Sequence, residues 1–128
     1  MPAGIVGAGL FIATFMRILV YDDAHTAQTL RVLLRSEGHE VRAFYESRAF
    51  LAKALDWAPD VAFLDVDMPE TGGHAVARDM RAHFGTRILL IAVTAQGSRE
   101  GKTVAFKAGF DIYLVKPVRP EKLLYIGS

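Results

Sequence analysis

The chain has 128 residues, enough for one domain that buries a single core without staples. With 15 Lys and Arg against 14 Asp and Glu its net charge is +1, so charge gives no reason to expect a nucleic acid or an anionic membrane as partner. The absence of cysteine excludes disulfides and thiolate metal sites and fits a reducing, cytoplasmic setting.

Residues 5–16 read IVGAGLFIATFM and carry no charge. The run is too short to cross a bilayer as a helix, so no membrane insertion is expected. A secretory signal needs a basic start, and here Arg17 follows the apolar run instead. Gly4, Gly7 and Gly9 do not make a dinucleotide loop, because no strand precedes them and the third glycine of that motif would fall on Ile12. Residues 1–16 are expected to be an extension, a non-native or mis-called leader with Met16 as the natural start. The alternative is an extra strand or an apolar flap over the domain.

Strands and helices then alternate. Arg17 to Tyr21 is an apolar strand ending in Asp22-Asp23. Ala24 to Ser36 is a helix with Ala27, Leu30, Leu33 and Leu34 at helical spacing, stopped by Gly38. Glu40 to Phe44 is a second strand, Ser47 to Trp57 a second helix, and Val61 to Leu64 a third strand ending in Asp65. After a turn cluster at 69–73 come a helix at His74 to Phe84 and a continuous apolar strand at Ile88 to Val93. Arg99 to Ala108 is a helix stopped at Gly109, Ile112 to Val115 a fifth strand, and Glu121 to Tyr125 a short last helix. This alternation implies right-handed βαβ units: an α/β chain of the flavodoxin-like kind, a three-layer α/β/α sandwich on a five-stranded parallel sheet of order 2-1-3-4-5. Ligands of such folds sit beyond the carboxyl ends of the strands, where strand order reverses.

The residues at those ends carry chemistry. Asp22-Asp23, Asp65, Asp67, Thr94 and Lys116 fall along one edge. Packed carboxylates raise one another's pKa, and a divalent cation relieves them. All-oxygen ligands favour a hard ion, Mg²⁺ or Mn²⁺. An aspartate here is a plausible nucleophile toward phosphorus, with the Lys116 ammonium and the Thr94 hydroxyl available to phosphoryl oxygens.

The segments ILVYDD (18–23), DVAFLDVDMP (60–69), AVTA (92–95) and AGFDIYLVKPV (108–118) resemble the response-regulator receiver domain, and the resemblance runs from Met16 to Leu124. The wording of the last segment looks like receivers attached to hybrid histidine kinases. The resemblance implies a two-component phosphorelay protein, not an enzyme acting on other substrates. It makes Asp65 the phosphoacceptor and a metal ligand and Asp23 a direct metal ligand, while Asp22 ligates through water or orients it and Asp67 contributes its backbone carbonyl. Lys116 pairs with the phosphoryl group or with Asp65. Thr94 is the switch hydroxyl, Tyr113 the coupled aromatic, Pro117 the second residue of a cis peptide bond, and Gly73 the residue that permits the tight loop. Partners would be a histidine kinase or histidine phosphotransfer protein, and a downstream protein or second copy on the face of the fourth helix, fifth strand and fifth helix. Asp67 and Gln96 are expected to tune the lifetime of the phosphoryl group.

Plainer readings stand beside these. Asp23 could cap the first helix, Thr94 could end a strand, Lys116 could be solvated and Tyr113 could pack on the sheet. The histidines at 25, 39, 74 and 83 show no ligand spacing, with His74 read as a solvated surface residue. Trp57 reads as packing at a helix end, and Arg78, Arg81 and Arg87 as a solvated face. Two other functions compete: a non-phosphorylated interaction domain on the same fold, and a phosphohydrolase of the haloacid-dehalogenase type, whose Asp-x-Asp motif Asp65-Val66-Asp67 mimics.

Overall fold

The computed structural model of the chain describes residues 3–6, 9–12, 15–69 and 71–119. Near the N-terminus, β1 (Ala3–Val6) and β2 (Gly9–Ile12) pair antiparallel as a separate two-stranded sheet. The extension is therefore strand-forming, but its strands pair with each other rather than with the main sheet.

The main sheet follows the expected alternation: β3 (Arg17–Tyr21), α1 (Ala24–Ser36), β4 (Glu40–Phe44), α2 (Ser47–Trp57), β5 (Val61–Asp65), α3 (Gly73–Phe84), β6 (Leu89–Thr94), α4 (Arg99–Ala108) and β7 (Ile112–Val115). A single 3₁₀ turn (Gly85–Arg87) links α3 to β6. All strand pairs are parallel in the order β4-β3-β5-β6-β7, which is 2-1-3-4-5 when these five are counted alone. The carboxylate Asp65 belongs to its strand rather than following it, and β6 extends to Thr94. The expected helix at Glu121 to Tyr125 lies outside the described residues.

Period-two alternation divides the core. Ile18, Val20, Val61, Phe63, Ile91 and Val93 face α1, where Leu30 and Leu34 cover them. Leu19, Tyr21, Leu64, Leu90 and Ala92 face α2, α3 and α4, against Phe50, Met80 and Ala105. The central strands are thus buried on both sides, which is why they are continuous apolar runs. A fully buried Phe63 or Leu64 contributes about 1.5–3 kcal/mol relative to exposure.

Helix ends follow local chemistry. The Asp23 carboxylate accepts from the Thr26 amide at the start of α1, and Ser98 Oγ accepts from the Gly101 amide at the start of α4. Gly109 ends α4 at φ +112°, a left-handed turn that costs glycine little. The arginines expected on a solvated face include one that is half-buried and tied to neighbouring carbonyls. Arg81 donates to the carbonyls of Gly85, Ile88 and Gly109 and to Asp111 Oδ2 at 2.7 Å. Its planar fork suits such a hub, and only the carbonyls of a neighbouring turn, invisible in a linear sequence, call for it.

Candidate functional site

Strand register places the polar ends together. Asp22 and Asp65 follow the paired Ile18 and Val61 at equal distance, and Thr94 and Lys116 lie slightly further along β6 and β7. Asp22 is fully buried, and its Oδ1 accepts from the Asp23 amide at 2.7 Å. Asp23 serves two roles at once: Oδ1 caps α1 through Thr26 at 3.0 Å, and Oδ2 faces the cluster. The cap reading and the ligand reading of this residue are therefore compatible. Asp65 is 4% exposed, and its Oδ1 accepts from the Asp67 amide at 2.8 Å.

Lys116 ties the cluster together. Its Nζ donates to Asp22 Oδ1 at 2.8 Å, Asp23 Oδ2 at 2.7 Å and Asp65 Oδ2 at 3.1 Å. Sequence reasoning paired it with Asp65 only. The Lys116–Pro117 peptide bond is cis. Burial pushes the Asp22 carboxyl up, to about 8, and the Asp65 carboxylate adds to the rise while Lys116 opposes it. Burial also works against an ionised Asp23, but the Lys116 ammonium and the Thr26 amide outweigh it and hold this carboxyl well below its usual range. For Lys116 burial disfavours the ammonium, and the three carboxylates more than reverse that, raising its pKa.

One oxygen from each of Asp22, Asp23 and Asp65 lies within 4.8 Å of the others, a spacing that can hold a metal ion. Asp22 Oδ2 is buried without a hydrogen-bond partner, so it has ligating capacity to spare. An all-carboxylate donor set of this kind fits Mg²⁺ or Mn²⁺.

Beside the cluster, Thr94 Oγ1 donates to Asp67 Oδ2 at 2.9 Å, and the Ala95 amide donates to the same oxygen at 3.2 Å. Thr94 Oγ1 also lies 3.3 Å from the Gln96 carbonyl, to which Tyr113 Oη donates at 3.4 Å. Gln96 therefore enters the site through its backbone, a role that side-chain identity does not advertise. Tyr113 is half-buried, with its hydroxyl over the first turn of α4, where a Cβ on Gly101 would stand 2.6 Å from it.

The loop after Asp65 is held from two sides. A Cβ on Gly73 would lie 2.6 Å from the Asp65 carbonyl oxygen, so only glycine lets α3 start against β5. The reason is space, since Gly73 has no left-handed φ. Tyr21, fully buried, donates its hydroxyl to the Thr71 carbonyl at 2.7 Å. The sequence marked Tyr21 only as a strand former; its hydroxyl at a buried strand end was the available signal. His74 is half-buried rather than solvated, edge-on to Phe110 at 6.2 Å, with its Nε2 buried and unpartnered.

Residues 18–126 match the family model described as the response regulator receiver domain. The chain belongs to the response-regulator receiver family. This receiver is 34% identical over 109 residues to the transcriptional regulatory protein ResD of Bacillus subtilis (strain 168), a match covering 84% of the chain and 45% of ResD. It is 32% identical over 109 residues to the DNA-binding response regulator MtrA of Mycobacterium tuberculosis (strain ATCC 25618 / H37Rv), covering 84% and 47%. The chain spans about half the length of the curated relatives it matches. Among solved structures it is similar to the Vibrio cholerae chemotaxis protein CheY4, with a TM-score of 0.80 at 30% identity, covering 87% of this chain and 94% of that one. Receivers of two-component systems interact with histidine kinases or phosphotransfer proteins, and the carboxylate cluster of this receiver can bind a metal. Among the described residues no helix is long and apolar enough to cross a membrane.

Proposed function

We propose that this receiver accepts a phosphoryl group on Asp65 from a histidine kinase or a histidine phosphotransfer protein. The observation that carries the reading is the convergence of Asp22, Asp23 and Asp65 on the Lys116 ammonium at a strand-end edge. An Asp65 carboxylate oxygen forms the new bond to phosphorus as the bond from phosphorus to the donor imidazole nitrogen breaks, and the imidazole leaves with the electron pair. Lys116 turns from its carboxylates to a phosphoryl oxygen, and Thr94 donates to another. Asp22, Asp23, Asp65 and the Asp67 carbonyl would hold Mg²⁺ (or Mn²⁺), which when bound would supply positive charge to offset the phosphoryl oxygens.

Engagement of Thr94 then shifts Tyr113, and the exposed face of α4 and β7 changes its fit for a downstream protein or a second copy. The even charge balance favours a protein over a nucleic acid as the direct partner of this domain. Asp67 and Gln96 tune the lifetime of the phosphoryl group. A haloacid-dehalogenase-like hydrolase would need the second aspartate as a proton donor to the leaving group, but Asp67 turns its carboxylate to Thr94 and Ala95.

Intact mass after incubation with a small acyl phosphate tests the reading. We expect a gain of one phosphoryl group that requires Mg²⁺ and is lost in Asp65→Asn. No gain in either protein would mean a non-phosphorylated interaction domain, and sustained turnover of a phosphomonoester would mean a hydrolase.

A further inference from the structure

A hydroxyl and the next backbone amide converge on a single anionic oxygen, Asp67 Oδ2, at 2.9 and 3.2 Å. Such a donor pair suits a phosphoryl oxygen as well as it suits a carboxylate. The Asp67 amide meanwhile donates to Asp65 Oδ1 at 2.8 Å. One residue therefore grips the acceptor through its backbone and the switch hydroxyl through its side chain. Thr94 has only one hydroxyl proton. The shorter bond to Asp67 claims it over the Gln96 carbonyl at 3.3 Å, and that carbonyl is left to Tyr113.

We propose that Asp67 is an internal surrogate for the phosphoryl group. Its carboxylate occupies the Thr94 hydroxyl and the Ala95 amide in the resting domain and must leave them before an Asp65-bound phosphoryl group can take them. Resting Thr94 thus points to Asp67, and phosphorylation draws its hydroxyl from that carboxylate to the phosphoryl group on Asp65. The inference rests on the phosphoacceptor reading of Asp65. It also predicts a ligand-free effect: without Asp67, Thr94 turns its proton to the Gln96 carbonyl and shares that two-lone-pair oxygen with Tyr113.

The test is titration of beryllium trifluoride at saturating Mg²⁺ into the full chain and into Asp67→Ala and Asp67→Asn, by calorimetry, with the Ala95 amide followed by NMR. Asp67 is exposed, so neither substitution disturbs the core. Loss of a charge-assisted competitor should tighten binding about tenfold in Asp67→Ala. Asp67→Asn should tighten it less, because its amide oxygen still accepts from the same donors. Without any ligand, the Ala95 amide proton should move upfield in Asp67→Ala, and the Tyr113 ring resonances should shift.

Equal tightening in both variants would reduce Asp67 to simple repulsion and overturn the surrogate role. Unchanged or weaker binding in Asp67→Ala would overturn it too. A native chain that binds no beryllium trifluoride with Mg²⁺ would defeat the phosphoacceptor reading and the surrogate with it. A native chain that binds, with Asp67→Ala no tighter, would defeat the surrogate alone.

Discussion

Gly73 shows how closely single residues set the site. Its absent Cβ would stand 2.6 Å from the Asp65 carbonyl oxygen and 3.1 Å from Val66 Cα, both backbone atoms that cannot rotate away. Gly73→Ala should therefore cost about 2 kcal/mol in urea unfolding. It should also slow phosphoryl uptake, because the loop carrying Asp67 has to shift. Unchanged midpoint and uptake would show that the loop yields freely.

His74 sets a pH dependence at the same scale. Burial lowers its pKa from 6.5, Arg78 lowers it further and Asp67 opposes. A depressed folded-state pKa means that the unfolded chain binds the proton first, so the stability this residue carries is full above 6.5 and is lost as pH falls through the folded-state value. His39, also lowered by burial, acts in the same sense. Asp22 acts oppositely: its raised pKa gives stability that is present below 3.8 and lost as pH rises through about 8. The His74 share is isolated by comparison. Between pH 7.5 and 5.5, His74→Phe should lose less unfolding free energy than the native chain, and equal losses would show that His74 is not desolvated in solution.

At the scale of elements, Arg81 binds the C-terminal end of α3 to the turn between α4 and β7. It spans the carbonyls of Gly85, Ile88 and Gly109, and Asp111 Oδ2 also accepts from the Leu90 amide. Arg81→Ala should lower unfolding free energy by about 2 kcal/mol, since several partly buried carbonyls lose a charged donor. Arg81→Lys should recover only part, because an ammonium cannot span the same carbonyls. A full rescue by lysine would show that charge alone matters.

Other elements show where sequence reading succeeds. Helices and strands were legible because Ala27, Leu30 and Leu34, or Ile18 and Val20, repeat at the spacing of a single covered face. The carboxylates were legible because they end apolar strands. Arg81, Tyr21 and the Gln96 carbonyl were not, because each acts on a backbone group brought near only by the fold. His74 failed for the converse reason: a polar letter on a helix reads as surface until the Phe110 ring lies against it.

Across the whole molecule, the sheet separates two kinds of edge. At its carboxyl edge stand the carboxylates and Lys116. At the opposite edge Trp57 is 8% exposed, with Arg17, Arg42 and Lys53 5.3 to 5.4 Å from its ring centre and its carbonyl accepting from Arg17 Nη1 at 2.8 Å. This is the chain's one tryptophan. Its emission therefore works as a built-in far-side probe. Unfolding should change it strongly, whereas adding Mg²⁺ and an acyl phosphate should leave it still if the response stays at the carboxyl edge and the α4–β7 face. A change in emission on phosphorylation would mean that the signal crosses the full height of the strands, and the length of that route could be read from a single fluorophore that no one had to install.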